Sequence, residues 1–227
     1  MKNISGAAKG QRGFTLIEIA IVLVIVGLLL GGVLQGQQLI ENSRVRAAVN
    51  DFKSISAATT SYLDTFSRLP GDDGNLLALQ GRGPNWTPLT LAGNTDGVIG
   101  AGSVTMLAPV GPISVNNEGL AFWVHLRTAG FIPGSVTATG AAALPANPFG
   151  GVIGITNAVA AGIPAGGPTL CMNGVPGTAA AAIDIQMDDG VTDTGNIRAA
   201  GNGASPAGAA LPPPYAPGSA YILCYKM

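Results

Sequence analysis

Glu18 is the only ionisable side chain between Phe14 and Leu34, a run of 21 residues that is otherwise apolar, small or hydroxylic. A charged side chain inside a membrane costs roughly 2.5 to 3.5 kcal/mol on insertion scales, and residues that bear that cost are as a rule functional. One role is local. Thr15-Leu16-Ile17-Glu18 has the spacing of a capping box, in which the Thr hydroxyl and the Glu carboxylate satisfy amides at a helix start and complement its dipole. A second group of oxygen donors, Asp188, Asp189 and Asp193, surrounds Gly190 and Thr192. Calcium takes six to eight oxygens, and three carboxylates with backbone carbonyls supply most of them; yet the EF-hand spacing is absent and Asp-Gly is also the ordinary material of tight turns. Asp96 and the pair Asp72 and Asp73 carry the same two readings. His125 is the single histidine, set beside Trp123 and Leu126, where packing explains it and where zinc would lack ligands. No G-x-S-x-G turn occurs, so no catalytic residue is assigned and the chain reads as a non-enzyme.

These groups depend on the elements that carry them. As a helix, Phe14 to Leu34 is ~32 Å long, enough to cross a hydrocarbon core of ~30 Å. Lys2, Lys9 and Arg12 precede it with no acid among them, which holds the N-terminus in the cytoplasm and sends the rest outward. An ordinary secretory signal is cut after its apolar stretch. Here the small residue Gly13 comes before that stretch, and Val33-Leu34-Gln35 makes a poor exit site. Beyond Leu34 the helix is expected to continue, because Val45, Ala48, Val49, Phe52, Ile55, Thr59, Tyr62, Leu63 and Phe66 recur at spacings of three and four and no Pro occurs before Pro70. Gln35-Gly36-Gln37-Gln38 is the one weak linker candidate. Leu69-Pro70-Gly71-Asp72-Asp73-Gly74 is a strong stop.

Arg12-Gly13-Phe14-Thr15-Leu16-Ile17-Glu18, with its short basic leader and following apolar helix, resembles the class III signal of type IV pilins and pseudopilins. The resemblance implies that a prepilin peptidase cleaves between Gly13 and Phe14 and methylates the new amine of Phe14. It also implies that Glu18 pairs with that ammonium on a neighbouring subunit during assembly, the alternative to a purely local cap. Gly27 stands where the family commonly has a helix Gly, but Gln35 stands where a Pro often lies, so any kink would use Gly31-Gly32. A looser likeness to pilin-like proteins extends through Leu69 to Asp72, Asp96-Gly97, Glu118 to Gly130 and Ile183 to Gly190.

The expected architecture is α+β: a long N-terminal helix packed on a small antiparallel sheet. Residues 1–13 are the leader, 14–34 the transmembrane and filament-core segment, 35–66 its amphipathic continuation and 67–227 the head. Strands are expected at Val98-Ile99, Val104 to Leu107, Gly151 to Ile155, Ala182 to Met187 and Ala220 to Tyr225, with a second helix at Glu118 to Thr128 capped by Asn117 and ended by Gly130. Ala141 to Ala143, Ala179 to Ala182 and Gly203 to Pro217 read as low-complexity loops. Cys171 and Cys224, an even count in an exported segment, are expected to form a disulfide, which in pilins commonly bounds a variable C-terminal surface; free thiols are the alternative. With 11 Lys and Arg against 12 Asp and Glu, no basic surface is available for nucleic acid.

The implied function is that of a structural subunit of a type IV pilus, a helical homopolymer assembled through a platform in the inner membrane and exposed on the cell surface. The alternatives are a type II secretion pseudopilin in the periplasm and, in another class, a periplasmic binding or enzymatic domain on an uncleaved anchor. No cofactor is expected beyond the Ca²⁺ candidates.

Overall fold

The computed structural model describes residues 15–100, 117–138, 140–157, 159–201 and 209–227. The described residues fall into two compact units, divided between Glu41 and Asn42. Helix α1 (Leu16–Phe66) runs without interruption, and Gln35 to Gln38 are turns of that helix rather than a linker. Gly31 and Gly32 also stay helical. In the first unit the helical residues leave their apolar side chains uncovered: Leu16 is 89% exposed and Leu28 73%. The helix is long and apolar enough to cross a membrane.

In the second unit the same helix becomes one-sided. Val45, Ala48, Val49, Phe52, Ile55, Ala58, Thr59 and Tyr62 are buried, which reproduces most of the apolar stripe. Leu63 departs from it at 41% exposure, because the buried face passes through Thr59, Tyr62 and Phe66 and leaves position 63 at its margin. Helix α2 (Leu76–Gln80) starts where the Asn75 carboxamide oxygen accepts the Ala78 amide at 2.9 Å. Helix α3 (Asn117–Thr128) covers the helix expected at Glu118 to Thr128, with Asn117 as its first helical residue rather than the residue before it. Gly130, at φ +79°, ends it with the Phe131 amide on the Leu126 carbonyl and the Gly130 amide on that of Arg127, both at 3.0 Å.

Four strands complete the head: β1 (Ile153–Thr156), β2 (Thr169–Pro176), β3 (Ile197–Gly201) and β4 (Ala220–Lys226). They form one antiparallel sheet in the order β1-β2-β4-β3. Successive residues face opposite sides. Leu170, Met172 and Leu223 join α1 in the main core, where Phe52 meets Tyr225 with ring centroids 5.6 Å apart. Cys171, Cys224, Ile222 and Ala200 face the other side and pack on Ala160, Ala161 and Ile163. With both faces covered, the strands lack polar alternation, and so β2 and β3 escape a search for it.

The expectation for Ala182 to Met187 is overturned. With Ala179 to Ala182, which reads as a loop, this segment forms helix α4 (Gly177–Met187). Ile183-Asp184-Ile185 mimics strand alternation, but alanine is the best helix former, and in the helix Ile183 is buried while Ile185 is 68% exposed. Val98-Ile99 is not a strand; Ile99 is buried, and its carbonyl accepts the Asn157 amide at 3.1 Å. Val104 to Leu107 lies outside the described residues. Gly140–Ala143 forms a short 3₁₀ turn.

Candidate functional site

The N-terminal turn of α1 closes the capping box. The Glu18 carboxylate accepts both the Thr15 amide and the Thr15 hydroxyl at 2.8 Å, and the Glu18 amide donates to the Thr15 hydroxyl at 3.3 Å. All four partners are exposed, so the carboxylate satisfies a helix-start donor without losing access to a second group. Ile17 and Ile19 flank it at 66% and 49% exposure. An accessible anion at the tip of an uncovered apolar helix is equipped to meet a cation when other helices replace the solvent around it. Gly13 and Phe14 lie outside the described residues.

Residues 8–34 match the family described as the prokaryotic N-terminal methylation motif. This is a type IV pilin-like N-terminus. The match covers the end of the leader and the apolar run through Leu34, and it implies processing by prepilin peptidase, membrane anchoring before assembly, and entry into a pilus or secretion-system machinery. No curated protein and no solved structure gives a significant match to the chain.

Cys171 and Cys224 are bonded, and they sit directly opposite each other in the β2–β4 register. The bond fastens the two central strands on the face turned away from α1. No cysteine is free.

The late acidic loop of the head gathers Asp184, Asp188 and Asp189, each offering a carboxylate oxygen within 4.8 Å of the others; Asp193 is not among them. Helix α4 explains the membership, since Asp184 lies in its last turn and Asp188 caps its end, with the Asp188 amide on the Asp184 carbonyl at 2.6 Å. Asp184 is fully buried, accepts the Tyr215 hydroxyl at 2.7 Å and the Gly190 amide at 3.2 Å, and burial raises its carboxyl above the usual carboxylate range. Asp188 accepts the amides of Asn196 and Ile197 through one oxygen. Asp189 accepts the Thr194 hydroxyl at 2.5 Å and the Val191 amide at 2.9 Å, and the Thr194 bond holds its carboxyl below the ordinary value. A hard cation could take oxygens from this group, and all three carboxylates already serve the loop. Asp184 was invisible as a member because its segment reads as a strand.

A second group joins Asp72, Asp96 and Glu118 within the same 4.8 Å limit. Asp72 is buried and accepts the Asp96 and Gly97 amides at 3.1 and 2.7 Å, while Glu118 accepts the Gly100 amide at 3.0 Å. Asp73 turns the other way. It accepts the Tyr62 hydroxyl at 2.7 Å and makes a two-pronged contact with Arg82, whose guanidinium lies 4.6 Å from the Phe66 ring centroid and 5.0 Å from that of Trp86.

His125 is fully buried beside that network. Its Nδ1 accepts the Gly71 amide at 3.0 Å, which assigns the proton to Nε2, 3.2 Å from the Leu91 carbonyl. The ring lies nearly parallel to Tyr62, with centroids 6.3 Å apart. Burial pushes the His125 pKa down, outweighing the attraction of Asp73. Both ring nitrogens are spent on backbone groups, so the imidazole holds the Leu69-Pro70-Gly71 turn and the Leu91 loop against α3.

Proposed function

We propose that this pilin-like chain is a structural subunit of a type IV pilus, stored in the inner membrane and polymerised through α1 into a helical filament. The observation that carries the reading is the exposed Thr15–Glu18 box at the tip of an uncovered apolar helix within the methylation motif. Lipid covers the apolar residues before assembly, and neighbouring helices cover them afterwards. In that exchange Glu18 of one copy takes the methylated ammonium of Phe14 of another, so that two charges enter an apolar bundle as a pair. The proposed role is polymerisation, and His125, with both ring nitrogens committed to the backbone, is given a packing role in it. Extraction from the membrane is driven by a cytoplasmic assembly ATPase acting through an inner-membrane platform.

A secretion pseudopilin is the second reading, and the late acidic group Asp184, Asp188 and Asp189 favours it, because some pseudopilins hold Ca²⁺ in a comparable loop. Electron micrographs of cells with and without the gene separate the two readings: surface filaments that vanish with the gene support the pilus, and a secretion defect without surface filaments supports the pseudopilin. Glu18→Gln tests the chemistry. The variant keeps an oxygen for the cap, which is worth ~0.5 to 2 kcal/mol, but leaves an unpaired ammonium in the bundle, where breaking such a pair costs ~3 to 5 kcal/mol. It is expected to insert and be cleaved, and to form no filaments alone. Normal filament abundance from that variant would make Glu18 a cap and nothing more.

A further inference from the structure

We propose that Arg127 of one copy of this chain pairs with Asp51 of a neighbouring copy, an ion pair that links successive subunits and rests on the polymerisation reading above. Arg127 closes the last turn of α3 and is partly buried. Its Nε is shut in against Gly134, where an added Cβ would lie 2.5 Å from it, and has no hydrogen-bond partner. The guanidinium reaches only the Ser135 carbonyl, at 3.4 Å. All 12 acidic residues of the chain lie among the described residues, and the only ion pair among those residues is Arg82 with Asp73. The chain thus supplies Arg127 with no anion of its own, and a partly dehydrated guanidinium whose terminal nitrogens hold one long bond, to the Ser135 carbonyl, is suited to take a carboxylate from outside.

Asp51 is its counterpart. It sits on the flank of the buried face of α1, partly buried, with no hydrogen bond to its carboxylate among the described residues. The helical neighbours at three and four residues are Ala47, Ala48, Ser54 and Ile55, none of them a cation, and Arg44, two turns away on the same side, makes no ion pair with it. Burial alone raises the Asp51 carboxyl and lowers the Arg127 guanidinium pKa, each the signature of a charge short of solvent and partner. Among the other acids without a partner, Asp64 and Asp193 are exposed and water serves them. Glu41 belongs to the first unit.

The two sites occupy different elements of one head and do not meet within it. Made head to tail, with one such contact at each end of a copy, the pair is heterologous, and where the rotation between copies does not close a ring it propagates into an open polymer. Each interior copy then uses one Arg127 and one Asp51, and neither charge is left over.

The test uses the full chain expressed in cells that assemble it. Asp51→Lys and Arg127→Glu are each expected to lower sheared filament yield at least tenfold, and the double variant to restore it to within about twofold of wild type. A second measurement does not depend on the reversed charges: a chain with Asp51→Cys and a chain with Arg127→Cys, co-expressed in a minority among wild-type subunits, should give a reducible dimer on mild oxidation of filaments. Wild-type yield from both single variants, or filaments without that cross-link, would overturn the pair while leaving polymerisation intact. A wild-type chain that forms no polymer at all would overturn both.

Discussion

Replacing His125 by Gln separates the titration of a buried imidazole from its packing. Gln keeps an acceptor for the Gly71 amide and a donor for the Leu91 carbonyl but carries no proton across the accessible pH range. In the wild-type chain burial lowers the folded pKa of His125 below the ordinary 6.5, so the unfolded chain binds the proton more readily. Stability from this group is therefore complete above about pH 6.5 and falls as pH drops through that value toward the folded pKa. One proton per molecule gives at most about 1.4 kcal/mol per pH unit, so wild type should lose up to ~1.4 kcal/mol between pH 7.5 and 5.5 that His125→Gln does not lose. For a chain of this size that is roughly 3 to 5 °C in melting temperature. Asp184, whose raised carboxyl shifts stability in the opposite sense, is common to both proteins and cancels in the difference. The assay is thermal unfolding of detergent-solubilised full-length protein at both pH values, followed by near-ultraviolet circular dichroism. Parallel loss in the two proteins would refute the neutral, doubly bonded imidazole.

Three further outcomes are expected. Gly71 stands at φ +92°, and an added Cβ would lie 2.5 Å from the Glu118 carbonyl oxygen, so Gly71→Ala should destabilise the head by about 2 to 4 kcal/mol; urea unfolding that is unchanged would contradict the tight turn. Cys171 and Cys224 should accept an alkylating reagent only after reduction, and Cys224→Ser should cost ~2 to 5 kcal/mol and lower the yield of exported protein. Gly13→Val should accumulate uncleaved precursor, because a branched side chain keeps the peptidase's carboxylates from the scissile bond; a mature N-terminus at Phe14 in that variant, read by mass spectrometry, would argue against Gly13 as the determinant.

What the sequence makes legible is what depends on short range. The span of α1 follows from apolar length, the Thr15–Glu18 box from a spacing of three, and α3 from its periodicity and Gly130 stop. Strands β1 and β4 carry enough β-branched and aromatic residues to be found. Strand β2 contains Asn173 and Gly174, and β3 is Ile-Arg-Ala-Ala-Gly, so neither announces itself; each is a strand because β4 lies between them and pairs with both. The same long-range pairing sets the cysteines opposite each other across β2 and β4, which no spacing along the chain predicts. The polar clusters were half visible for the same reason. Asp72 with Asp96 and Asp73 with Arg82 join segments that only the folded turns bring together, and Asp184 entered the late group only through a helix that the alternation of Ile183 and Ile185 concealed.

The low charge content of the chain has a structural use in this head. Much of the region between α1 and β4 is irregular, and irregular backbone leaves amide donors that no ladder satisfies. Asp72, Asp96, Glu118, Asp184, Asp188 and Asp189 each accept at least one backbone amide across a turn or between segments. Acidic side chains thus act as the acceptors that strands would otherwise provide, at roughly 1.5 to 3 kcal/mol for a hydrogen bond to a charged group. Carboxylates committed in this way are withdrawn from surface ion pairing, which leaves Arg82 with Asp73 as the one internal pair among the described residues and Arg127 without an acid. Six amide-binding carboxylates in the head, together with two partly buried charges, Asp51 and Arg127, that have no ionic partner among the described residues, are the pattern expected of a subunit whose loops are fixed before assembly and whose remaining charges are completed by its neighbours.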